Sequence, residues 1–166
     1  MNSAEVKYKA AILIASDRAF GGIRKDQTGP ALRQKLIELG YEDVSLEVVP
    51  DEQTQIEKVL GSWIDHGDIS LILTSGGTGV APRDVTPEAT LNVIERRVPG
   101  IEEKMRFESS MTTPNAILSR GVVGVAGKTM IINLPGSPIG ALENLNVIAP
   151  VLTHALDLIN GKKPDP

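Results

Sequence analysis

At 166 residues, with 41% apolar and 23% charged side chains, the chain fits one globular domain able to bury its own core and is too apolar for a disordered segment. It has no cysteine, which excludes disulfides, thiolate metal sites and cysteine nucleophiles. Its net charge of −4 includes no block of Lys or Arg, and its first residues, Met1 to Glu5, hold no basic stretch leading into an apolar run, so nucleic-acid binding, export and membrane insertion are not expected and a cytoplasmic location is.

Residues 9–15 form a short apolar run ending in Ser16, the pattern of a buried parallel strand. Leu32, Leu36 and Leu39 then fall on one helical face, with Gly40 as the C-terminal cap. Residues 44–49 alternate at first and end at Pro50, as expected of a strand near a sheet edge. A second helix carries Ile56, Val59, Leu60, Trp63 and Ile64 and stops at His66-Gly67, and residues 69–74 give a second buried strand. Thr86 reads as the N-cap of a third helix with Pro87 at its first position, and a further helical stretch runs from about Ile101 to Ser109. Two strand-like runs, 121–126 and 129–134, are joined closely enough by Gly127-Lys128 for a hairpin, so one strand is expected to be antiparallel. The last helix, 138–159, is expected to kink at Pro150. Alternating strands and helices imply a three-layer α/β/α sandwich with a mostly parallel sheet, one domain over 1–166 with tails at about 1–6 and 161–166.

In an open parallel sheet, ligands bind beyond the carboxyl ends of the strands. Four loops meet at that edge, beginning at Ser16-Asp17-Arg18, Pro50-Asp51-Glu52-Gln53, Ser75-Gly76-Gly77-Thr78-Gly79 and Pro135-Gly136-Ser137-Pro138. Three glycines and two hydroxyl residues let the third loop turn consecutive amides toward an anion, although the lysine of a Walker-type phosphate loop is absent. The plain alternative is a sharp turn after a buried strand. Asp51, between a strand and a helix, reads either as a helix-capping acid or as a ligand group. Asp84 precedes the cap position and has no such structural duty. Together the two carboxylates offer the hard oxygens that magnesium prefers. Ser137 has the grammar of an N-cap, and with Gly136 it also presents free amides. His66 and His154 lie away from the strand ends and read as ordinary surface or packing residues.

Through Ser16-Asp17-Arg18, residues 26–30, Pro50-Asp51-Glu52-Gln53, residues 74–88 (TSGGTGVAPRDVTPE), residues 113–120 (TPNAILSR) and residues 133–138 (NLPGSP), nearly the whole chain resembles the molybdopterin adenylyltransferases of molybdenum cofactor biosynthesis, the MogA/MoaB group and gephyrin-type G domains. The resemblance implies a molybdopterin-binding fold, with molybdopterin and magnesium ATP as substrates and adenylyl-molybdopterin and pyrophosphate as products. It assigns catalysis and a magnesium site to Asp51 and Asp84, and phosphate binding to Ser75, Gly76, Gly77, Thr78, Gly79 and Thr86. Ser16, Asp17, Pro135, Gly136 and Ser137 would line the remaining space. A homotrimer, and a partner that inserts the metal, are further implications. The competing readings are a non-catalytic molybdopterin-binding paralogue and a scaffold module of the same fold.

Overall fold

In the computed structural model, residues 8–162 are described. The expected tail at 1–6, and all but the first two residues of that at 161–166, lie outside them. The chain runs β1 (Lys9–Ala15), α1 (Asp17–Phe20), α2 (Thr28–Glu38), β2 (Glu42–Val49), α3 (Gln53–His66), β3 (Leu71–Ser75), α4 (Thr86–Val93), β4 (Arg96–Arg97), α5 (Pro99–Ser110), a 3-10 turn (Pro114–Leu118), β5 (Val123–Ala126), β6 (Thr129–Leu134) and α6 (Pro138–Ile159). The six strands lie in the order β2-β1-β3-β6-β5-β4. β2, β1, β3 and β6 are mutually parallel, and β5 pairs antiparallel with both β6 and β4.

Continuous apolar runs in β1, β3 and β6 follow from cover on both faces of the sheet. Ala10, Ile12 and Ile14 of β1 point into a core shared with α2, α5 and α6, whereas Ala11, Leu13 and Ala15 point into one shared with α3 and α4. Each face therefore takes alternate side chains of the same strand. α6 is long and apolar enough by composition to cross a membrane. Its stripe of Ala141, Leu145, Ile148, Leu152 and Leu156 is instead buried against the sheet side of the first core.

One expectation changes, and two elements appear unannounced. Leu32 and Leu36 are buried, but Leu39 occupies the C-cap position of α2 and is 39% exposed, because the chain leaves the helix there and Gly40 turns at φ +91°. The two-residue strand β4, exposed and made of two arginines, has no apolar pattern to announce it. Nor does the single turn α1, which Ser16 caps by accepting the Ala19 amide at 3.2 Å. Ser137 caps α6 as expected, accepting from the Gly140 amide at 3.1 Å. Pro150 stands inside α6 and offers no amide to the Asn146 carbonyl one turn earlier.

The first and last described elements are fastened together. The Tyr8 hydroxyl donates to Asp157 Oδ1 at 2.5 Å, Lys162 Nζ donates to the same oxygen at 2.6 Å, and the ammonium stands 5.1 Å from the centre of the Tyr8 ring.

Candidate active site

The glycine loop after β3 is forced into shape by its neighbours. Gly76 and Gly77 have φ of +96° and +64°, in the region that side chains with a Cβ avoid. A methyl group on Gly76 would stand 2.3 Å from the Ala15 carbonyl oxygen, and one on Gly77 would stand 2.4 Å from Thr86 Oγ1 and 3.2 Å from Asp51 Oδ1. Glycine is thus required by both angle and space. The Ser75 hydroxyl donates to the Pro135 carbonyl at 2.7 Å and the Gly76 amide to the Leu134 carbonyl at 3.2 Å, which binds this loop to the one after β6.

Thr86 does not cap α4. Val85 holds the cap position, and the buried Thr86 hydroxyl reaches back to donate to the Gly76 carbonyl at 2.8 Å. The reason is local: a loop carbonyl turned inward needs a donor, and Thr86 is the side chain within reach. Its own amide donates to the Gly77 carbonyl at 3.1 Å, so Thr86 supports the loop from beneath.

The capping alternative for Asp51 falls for a similar reason. Glu52 occupies the N-cap position of α3 and makes no side-chain cap bond. Asp51 Oδ2 instead accepts the Asp17 amide at 2.8 Å, while Asp17 Oδ1 accepts the Asp51 amide at 3.0 Å. This reciprocal pair ties the loops after β1 and β2 together. Arg83 then grips Asp17 with Nε and Nη2 at 2.5 and 2.9 Å. Asp84 Oδ2 accepts the Ala81 amide at 2.9 Å, turning the 81–84 segment back on itself. A methyl on Gly79 would stand 2.8 Å from that same oxygen.

The two linked acids of this corner differ in their electrostatics. Burial pushes the Asp51 carboxyl above the usual range, and the Asp17 and Asp84 carboxylates add to that shift, against the lowering by the Asp17 amide and Arg83. Asp17 goes the other way, held down by Arg83 and by the Asp51 amide. Behind the site, the wholly buried Glu102 is pushed up by burial, but Arg97, the Val123 amide and Arg106 outweigh this and leave it below the ordinary value.

Two cavities flank the glycine loop. The smaller, of about 310 Å³, is polar and is lined by Asp51, Asp84, Ser16, Ser75, Gly76, Gly77, Gly136 and Ser137. The larger, of about 460 Å³, takes Thr78, Gly79, Pro135 and Ser137 from the expected set, and the rest of its wall from α5, residues 112–121, Asn133 of β6 and the start of α6. Ser137 borders both. The fold therefore brings Asp51 and Asp84 together with most of the loop residues. It leaves Asp17 and Thr86 as supports beside the lining.

Arg24, Lys25, Asp26 and Thr28 also line the small cavity and carried no expected site role. Asp26 Oδ1 accepts the amides of Thr28 and Gly29 at 2.9 and 3.0 Å, an Asx turn that opens α2 and that the Asp-x-Thr-Gly spacing offers as a signal. The Arg24 and Lys25 side chains sit in a loop with no pattern of its own. The wall of the large cavity was missed because Met105, Ser109 and Asn144 read as ordinary helix positions.

A left-handed glycine turn and two carboxylates on one cavity, beside a second roomier one, have a counterpart among known proteins. The family model described as "Probable molybdopterin binding domain" matches residues 11–154. The chain belongs to that family. Within the molybdopterin-binding domain family, a molybdopterin adenylyltransferase of Helicobacter pylori is 43% identical over 152 residues, 90% of this chain and 86% of its own length. The gephyrin of Dictyostelium discoideum is 42% identical over 95% of this chain, which spans only 23% of that longer protein. Among solved structures, the molybdopterin biosynthesis enzyme MoaB from Thermus thermophilus is 52% identical with a TM-score of 0.88, covering 95% of this chain and 98% of that one.

Proposed function

We propose that this protein is a molybdopterin adenylyltransferase of molybdenum cofactor biosynthesis, acting on molybdopterin and magnesium ATP in the cytoplasm. The observation that carries the reading is the placement of Asp51, Asp84 and the Gly76-Gly77 turn on one polar cavity that meets a larger cavity at Ser137. The polar cavity suits a nucleotide's phosphates, and the larger one, within the size range of small-molecule sites, suits the organic body of the pterin. A phosphate oxygen of molybdopterin attacks the α-phosphorus of ATP there. The new P–O bond forms as the bond to the β-phosphate oxygen breaks, and pyrophosphate leaves with that electron pair. A phosphate monoester is already ionised at neutral pH, so the protein's task is alignment and charge neutralisation rather than proton removal.

The donor set suits magnesium. Asp51 and Asp84 each have Oδ2 engaged by an amide, and Oδ1 of each receives no hydrogen bond from the described residues. Two such carboxylates plus substrate phosphates are the usual environment of that ion. When bound, magnesium supplies charge stabilisation for the phosphates. With the Gly76 amide and carbonyl engaged by Leu134 and Thr86, the Gly77 amide is the loop donor turned to the phosphates; Ser75 and Thr86 keep that backbone in place, and Arg24 and Lys25 add positive charge at the same cavity for the departing pyrophosphate.

The family resemblance points to a homotrimer and to a partner that inserts the metal. Phe107, Met111 and Ile117, on α5 and the turn beyond it, are more than 60% exposed and offer apolar surface for assembly. Purified protein incubated with molybdopterin, magnesium and α-labelled ATP should transfer label to the pterin and release pyrophosphate. Tight pterin binding without label would replace this reading with the non-catalytic paralogue. Label appearing only as free AMP would replace it with a hydrolase.

A further inference from the structure

One side chain fastens the two cavities to each other, and no role in the reaction above uses it. Arg120 lies just beyond the 3-10 turn, between Ser119 and Gly121, both of which line the large cavity. Its amide donates to the Thr78 carbonyl at 2.8 Å. Its guanidinium turns toward the acidic side, where Nε donates to the Gly79 carbonyl and Nη2 to the Asp84 carbonyl, each at 2.8 Å. Nη1 is paired with Glu88 Oε1 in the first turn of α4, and Arg120 draws the Glu88 carboxyl below its usual range. One planar fork thus spans the glycine loop, the backbone of Asp84 and the helix that follows.

This arrangement does more than fill space. The segment 80–83 between Gly79 and Asp84 is exposed along its length, and apart from the grip of the Arg83 side chain on Asp17 its own packing fixes little. Among the described residues, Asp84 Oδ2 accepts only from the Ala81 amide, within the same loop. The carbonyls of Gly79 and Asp84 are the two ends of that loop, and Arg120 binds both. A guanidinium does this where an ammonium cannot, because its donors diverge in a fixed plane.

We propose that Arg120 is a positioning residue, which fixes the Asp84 carboxylate by clamping both ends of its loop and keeps it in register with the wall of the large cavity. The proposal rests on the adenylyl-transfer reading of the site. Arg120 acts through Asp84 and touches no reacting atom. Its loss therefore perturbs the step that depends on Asp84 and spares capture of the pterin.

The test compares wild type with Arg120→Gln, Arg120→Lys and Glu88→Gln in the label-transfer assay, varying magnesium and molybdopterin separately and recording Tm for each. Arg120→Gln should lower kcat by about 10- to 100-fold and raise the half-saturating magnesium concentration by about tenfold. Its KM for molybdopterin should stay within about twofold, the signature of an interaction that matters beyond ground-state binding. Arg120→Lys should recover little, since charge without the fork cannot hold both carbonyls. Glu88→Gln should show the same pattern, more weakly. An unaltered magnesium dependence in Arg120→Gln, or full activity in Arg120→Lys, would overturn the clamp. A loss of activity that only follows a fall in Tm would assign Arg120 to the fold alone and overturn it too. Wild type that labels no pterin would remove the adenylyl-transfer reading and this role with it, whereas an active wild type matched by Arg120→Gln removes the role of Arg120 only.

Discussion

The parallel half of the sheet, from β2 to β6, and the antiparallel half, from β6 to β4, shape the ligand space in different ways. In the parallel half, each strand delivers a loop at the same edge, and those loops are tied together at their bases, Asp17 with Asp51 and Ser75 with Pro135, while Thr86 braces Gly76 within one of them. The result is a small acidic cavity. In the antiparallel half, β5 turns back, and the space it leaves is walled by α5 and the 112–121 segment, giving a larger and more apolar cavity. The contrast teaches where charge and shape separate. Charge sits where backbone hydrogen bonds fix geometry, and shape sits where helices pack.

The hardest test of that division is Asp84→Asn, which should abolish label transfer, by roughly 10³-fold or more, with an unchanged circular dichroism spectrum. Retained activity would mean that the acidic cavity is not the chemical end. Next comes Asn133, on β6 at the seam of the halves. Its amide donates to Thr74 and Thr90 at 2.8 and 2.9 Å and its oxygen accepts the Val122 amide at 3.0 Å, all buried. Asn133→Leu should cost about 3 kcal/mol, seen as a Tm lower by about 6–12 °C. An unmoved Tm would show that the halves do not depend on this seam. At the mouth of the large cavity, Ile139→Asp should raise the KM for molybdopterin about tenfold, or 1.4 kcal/mol, with the KM for ATP unchanged. If the KM for ATP rose instead, the assignment of the two cavities would be reversed.

The smallest effect is one of pH. Burial raises the folded-state pKa of Asp51, so its contribution to stability is full below the ordinary Asp value of 3.8 and is lost as pH rises through the raised one. Asp51→Asn removes that loss. Its Tm should exceed that of wild type by about 1–3 °C near neutral pH, and the difference should vanish on acidification, even as transfer is abolished. Asp17 has the opposite sign: its pairing with Arg83 stabilises above the ordinary carboxyl range and weakens as pH falls.

Much of the parallel half was legible in the sequence. Runs such as Ile12-Leu13-Ile14 and Leu71-Ile72-Leu73 announce strands buried on both faces, and the glycines and acids beyond them mark the ligand edge. The hairpin of β5 and β6 was legible from Gly127-Lys128, which also implied that one strand runs against the others, and the pairing shows that strand to be β5. What stayed hidden depends on partners distant in sequence. Thr86 and Asp51 satisfy local capping rules, and only the approach of Gly76 and Asp17 redirects them. The Arg120 side chain makes its contacts 32 to 41 residues away, a span that carries no periodic signal. β4 is too short and too exposed to leave a pattern.

The clasp at Tyr8, Asp157 and Lys162 joins residues 149 positions apart within a single hydrogen bond. A domain whose entry and exit meet in this way can be spliced into a longer polypeptide without being pulled open, since the host chain sees two neighbouring attachment points. It is in effect a cassette. That this chain aligns with 23% of the length of one relative and 86% of another is what such a module allows.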